Sequence, residues 1–222
     1  MNDKSNTVKA KIISEIASKS KSKIEKDFIK HLYGEVSADD LSSVDAAQSM
    51  YKTFCKHPKK TFNINVFRAS EGADLAVLEV VSDDVPFLID SISNELKQQQ
   101  CDIHLIVHPT LGIVRDKHNN FVKFDDGGQK ETLIQYHISN WVDEKRIENL
   151  KLRINKVLEC VSFAVRDWRK MVSTMNDCIA EHKDSVALKK NDMRDESIAF
   201  LEWLVNNHIV FLGGYYTKLE KD

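Results

Sequence analysis

The stretch Val80–Arg115, VVSDDVPFLIDSISNELKQQQCDIHLIVHPTLGIVR, constrains the fold more than any other part of the chain. Leading into it, Leu75–Val81 is apolar and β-branched enough for a buried strand. Asp83 and Asp84 stand where they can cap a helix, and Pro86 fits its first turn. Phe87, Leu88, Ser91, Ile92 and Leu96 give that helix one apolar face. Ile103, Leu105 and Val107 then alternate with His104, Ile106 and His108, which predicts a strand with two unlike faces. Strand, helix and strand in this order predict a β-α-β core.

The flanks extend it. Phe62–Ala69 alternates as a strand, and Gly72 marks a turn that would pair it with Leu75–Val81 as a hairpin. Beyond the core, Gly112 is expected to bend the strand. His118-Asn119-Asn120 turns toward Phe121–Phe124, Asp125–Gly128 is another turn, and Thr132–Ser139 reads as a strand. In residues 1–33, Ile12, Ile16, Ile24, Phe28 and Leu32 recur at multiples of four, a helical stripe that Ser18, Ser20 and Ser22 weaken. Ser37-Ala-Asp-Asp40 resembles a capping box, and Leu41, Val44, Gln48, Tyr51 and Phe54 trace the helix after it.

The last third reads as helix. From Ile147 through Leu150, Ile154, Val157, Val161, Ala164, Trp168, Met171 and Met175 to Cys178, apolar residues step by three and four. A helix over 143–182 would be about 60 Å long at 1.5 Å per residue. It is expected to break in two or to pack on a second chain or domain, with Trp168 inside the seam. A polar break follows at Asp184–Asp192, then a short helix over Asp195–Asn207 and a strand over His208–Leu219.

Composition narrows the function classes. A 42% apolar content supports a core, and a net charge of −2 gives no bulk attraction to nucleic acid. No apolar run approaches the ~20 residues that a membrane span needs, and the N-terminus has no secretory h-region. A cytoplasmic location is expected. Cys55, Cys101, Cys160 and Cys178 show no paired spacing, which argues for free thiols. The glycines form neither G-x-G-x-x-G nor a phosphate loop, so no dinucleotide site is expected in this chain. His104 and His108, four apart on a strand, would lie about 13 Å from one another, too far to share an ion. No catalytic residue, cofactor ligand or metal ligand is assigned.

SDDVPFLIDSISNEL resembles the ligand-loop region of ACT domains, which are ferredoxin-like βαββαβ regulatory modules. Taken with CDIHLIVHPTLGIVRD, RIENLKLRINKVLECVSFAVRDWRKM and ESIAFLEWLVNNHIVFLGGYY, it is similar to the N-terminal region of the large bacterial NAD-specific glutamate dehydrogenases, over about residues 75–217. The resemblance implies an α+β fold: a ferredoxin-like, ACT-type antiparallel sheet with helices on one face, N-terminal helices and a long C-terminal helix. It implies three regions: a helical segment over 1–57, an ACT-like regulatory domain with its following helix over 58–182, and the start of a further segment over 183–222. It also implies a regulatory or assembly module of an enzyme that converts glutamate to 2-oxoglutarate and ammonia with NAD, not catalytic by itself. The remainder of the dehydrogenase or its other subunits would be the partner. The alternative is a free-standing amino-acid sensor acting on a partner enzyme. In either case Asp83, Asp84, Pro86 and Phe87 form the candidate effector or interface loop. ACT domains commonly carry glycine after the loop proline, where this chain has Phe87.

Overall fold

A computed structural model describes residues 10, 13–20, 22–34, 44–56, 62–68, 75–140, 144–184, 192–215 and 217. The capping box at Ser37–Asp40, the Gly72 turn and the polar break at 185–191 lie outside these residues. The chain forms two compact units, Met1–Glu159 and Cys160–Asp222.

The first unit is built on six strands: β1 (Phe62–Arg68), β2 (Leu75–Asp83), β3 (Asp102–Val107), β4 (Thr110–Arg115), β5 (Phe121–Phe124) and β6 (Gln129–Ser139). Every pairing is antiparallel, in the order β1-β2-β6-β4-β5. β3 and β4 lie end to end along one edge of β6, with Asp102 opposite Ser139 and Thr110 opposite Thr132. Pro109 divides them because it has no N–H to donate, while its carbonyl accepts the Leu133 N–H at 3.0 Å. β2 and β3 are both antiparallel to β6, so they run parallel to each other with β6 between them. The β-α-β core is therefore a split one, as the ferredoxin-like reading requires, and β1 forms the expected hairpin with β2.

Helices cover both faces of this sheet. On one, α3 (Leu88–Gln98) is tied to β6 by Tyr136, whose hydroxyl donates to the Ile89 carbonyl at 2.9 Å and bonds Ser93 Oγ at 2.8 Å. The first part of α4 (Glu144–Asp184) lies beside α3: Arg153 pairs with Glu95, and Arg146 donates to the Gln99 carbonyl at 2.9 Å. Leu150, Ile154 and Leu158 on that helix are buried. The N-terminal helices α1 (Lys23–Leu32) and α2 (Val44–Cys55) occupy the opposite face, where Phe28, Ile29, Leu32, Met50 and Phe54 meet Val81, Ile113 and Leu133. Burial from both sides explains why Ala76–Ser82 is buried without a break, and why this strand reads as a near-continuous apolar run.

The N-terminal stripe holds in part. Ile16, Phe28 and Leu32 are buried, but Ile24 is exposed. The helical residues 13–18 end in a turn, and Ser22 restarts the helix as the N-cap of α1, accepting the Glu25 N–H at 3.1 Å. The restart rotates the stripe, so Ile29 and Tyr33 are buried instead.

α4 is a single helix of 41 residues, not two pieces. It supplies the last element of the first unit and the first of the second. Of its seam, Leu150, Ile154, Val161 and Ala164 are buried and Ile147 and Val157 half-buried, Ile179 beside it is buried, and Trp168 is 45% exposed. The expectation that Trp168 lies inside the seam is corrected: nearly half of its surface is exposed. In the second unit, α5 (Asp192–Trp203) runs into a wide turn, Leu204–His208, inside which Asn207 takes φ 62°. The strand expected from His208 does not form over 209–215. A strand needs a neighbour to complete its backbone hydrogen bonds, and these residues make no backbone pairing among the described residues.

Candidate functional site

The β2–α3 loop connects the end of a buried strand to a helix that packs on the sheet. Here the expected capping does not occur. Asp83 is the last residue of β2, and its Oδ1 accepts from Gln129 Nε2 at 2.6 Å. The Asp84 N–H donates to the Lys130 carbonyl at 3.2 Å, and its Oδ1 accepts from Thr132 Oγ1 at 2.8 Å. Thr132 in turn bonds Thr110 across the β4–β6 pairing at 3.1 Å. Both aspartates thus pin the loop to the start of β6 rather than closing the end of the helix. The register decides this, because Ser82 and Asp83 lie opposite Thr132 and Glu131.

The residue that opens α3 is Phe87, at φ 71° and ψ 3°, with no side-chain hydrogen bond to the first turn. This left-handed conformation favours glycine, and a residue with a Cβ pays about 1–2 kcal/mol to hold it. The Ser91 N–H donates to the Phe87 carbonyl at 3.0 Å, so the helical ladder starts from this strained residue. Its ring is 41% exposed, and Pro86 beside it is exposed as well. Two carboxylates, an uncapped helix start and a projecting ring therefore share one surface loop. The amides can attract a carboxylate and the aspartates an ammonium.

A second polar constellation lies beneath α2. Glu79, in the middle of β2, is fully buried. Its Oε2 accepts from Thr53 at 2.7 Å and from Ser49 and Asn65 at 3.0 Å each, and its Oε1 accepts from Gln135 at 3.3 Å. Gln135 also donates to the Ala46 carbonyl and accepts from the Tyr33 hydroxyl. Burial pushes the Glu79 carboxyl up, against the pull of these donors. His137, bonded to Gln135, is held below the usual histidine range by burial and, less strongly, by His104. His104 bonds Ser139 Oγ at 2.6 Å. Nearer the edge, the buried Arg115 and Glu131 pair at 2.6 Å, and Arg115 also donates to the Phe54 carbonyl. Sequence reasoning missed the Glu79 network and the Arg115–Glu131 pair. The one available signal was a lone glutamate inside the apolar run LAVLEVV.

The sheet, with its split β-α-β core, falls within residues 28–154, which match the family model described as "Glutamate dehydrogenase, ACT1 domain". The chain belongs to this family. A protein of Halomonas elongata named NAD-specific glutamate dehydrogenase is 27% identical over 144 residues, covering 61% of this chain and 9% of that relative. Its namesake from Pseudomonas aeruginosa is 26% identical over 143 residues, with the same coverage of each. The chain therefore spans about a tenth of the length of these relatives. Among the described residues no helix is long and apolar enough to cross a membrane.

Proposed function

We propose that this chain is a regulatory and assembly module of an NAD-specific glutamate dehydrogenase, and that it carries no catalysis of its own. The observation behind this reading is the family match over 28–154 in a chain that spans only 9% of its relatives. The reaction, glutamate to 2-oxoglutarate and ammonia with NAD, belongs to the rest of such an enzyme in the cytoplasm. Within the module, Asp83, Asp84, Pro86 and Phe87 act as a contact surface. The strained, exposed Phe87 supports this role, because a glycine at this position is what lets an effector approach the backbone.

Two measurements test the reading. Purified chain given glutamate and NAD should show no turnover above a heat-killed control, and turnover would overturn the non-catalytic assignment. Calorimetric titration with glutamate, aspartate and branched-chain amino acids should show no micromolar binding. Micromolar binding that disappears in Asp84→Ala would instead establish the amino-acid sensor.

A further inference from the structure

α3 is held at two places by two different parts of the fold. Its first half is fixed to β6, where the Tyr136 hydroxyl donates to the Ile89 carbonyl and bonds Ser93 Oγ. Its last turn is fixed to α4. Arg153 Nε donates to Glu95 Oε1, Gln99 Nε2 donates to the same oxygen at 3.0 Å, and Arg146 Nη2 donates to the Gln99 carbonyl at 2.9 Å. Glu95 is buried, so its carboxylate has given up water for these donors. Arg146 and Arg153 stand two turns apart on α4, and Glu95 and Gln99 one turn apart on α3. Two arginines thus clamp the end of one helix to the start of the other.

The opposite end of α3 holds the strain. Phe87 opens the helix in the left-handed conformation, and such outliers persist only where their surroundings impose them. From Phe87 to Glu95 is eight residues, about 12 Å of helix. α3 therefore joins the strained contact loop to a clamp on a helix of 41 residues.

We propose that α3 and its arginine clamp form a relay: a change of backbone at Phe87 displaces α3, and Arg146 and Arg153 pass the displacement to α4. The Phe87 carbonyl accepts the Ser91 N–H at 3.0 Å, so a change at this residue re-forms the first turn of α3. Packed helices answer such a change by a small slide rather than by bending. Beyond Arg153, α4 runs unbroken to Asp184, so no kink absorbs the slide. What drives the relay rests on the reading of Asp83, Asp84, Pro86 and Phe87 as a contact surface, but its test needs no partner and no effector.

A double-mutant cycle on the 222-residue chain supplies that test. Phe87→Gly removes the strain, Arg146→Met with Arg153→Met cuts the clamp, and a further variant carries all three. Sites about 10 Å or more apart with no shared partner act independently, so their effects on the unfolding equilibrium should multiply to within about twofold. Urea denaturation is expected to show a departure of about threefold or more. Hydrogen exchange locates it: Phe87→Gly should change amide opening across residues 147–158 while the clamp is intact, and only at the start of α3 once it is cut. Effects that multiply to within twofold overturn the relay. So does an α4 that is indifferent to Phe87→Gly, or one that responds equally without the clamp. Glu95→Gln, which keeps the side chain's shape and removes its charge, is a second cut that should give the same answer if the arginine variants fail to fold. Amino-acid titration bears only on what occupies the loop, so the two readings fail separately.

Discussion

Glu79 is the residue whose setting departs furthest from its chemistry. A buried carboxylate with four donors but no ion-pair partner among the described residues costs free energy when ionised. Its carboxyl is pushed above the usual value of 4.5, so the folded chain holds the proton more tightly than the unfolded chain does. The linkage sign follows: Glu79's contribution to stability is fully present below the unfolded value and is lost as pH rises through the raised folded value. Glu79→Gln removes that titration. Urea denaturation at stepped pH should show the wild type losing stability relative to Glu79→Gln as pH climbs above 4.5. A difference that stays flat with pH would mean that the donors from Ser49, Thr53, Asn65 and Gln135 fully offset burial.

At the scale of elements, α4 is one helix with two kinds of surroundings. Ile154 is fully buried, whereas Trp168 is 45% exposed. Ile154→Ala should therefore cost about 2–5 kcal/mol, the range for a large aliphatic removed from a packed core. Trp168→Ala, with nearly half of the residue exposed, should cost about 1–2 kcal/mol, less than the about 3–5 kcal/mol of a fully buried tryptophan. Chemical denaturation of both variants separates the cases. A cost of several kilocalories at Trp168 would mean that the ring is covered in solution. The helix was legible from its three-four spacing, because that pattern is a property of one helix. Where the seam ceases to be buried was not legible, because burial depends on what lies opposite.

Across the whole molecule, packing is unevenly distributed. β2 and β6 are buried between two layers of helix, whereas most of the exposed large hydrophobics lie in Cys160–Asp222. Hydrogen exchange should reflect this. The amides of β2 and β6 should open only with global unfolding, and those of 209–215, with no backbone pairing among the described residues, should exchange fastest. Protection of 209–215 equal to that of β6 would show that this segment is paired as a strand after all. The sequence by itself determined β2, α3, β6 and the split core's order, because strand alternation and helical periodicity are local. It also carried the glycine-position anomaly at Phe87, through one departure from a family pattern. Only the tertiary structure decided where Asp83 and Asp84 turn. Their partners, Gln129 and Thr132, lie 46 and 48 residues away and arrive through strand register. The same register decided that Glu79 is buried, since α2 and β6 had to close over it before its polarity had any cost.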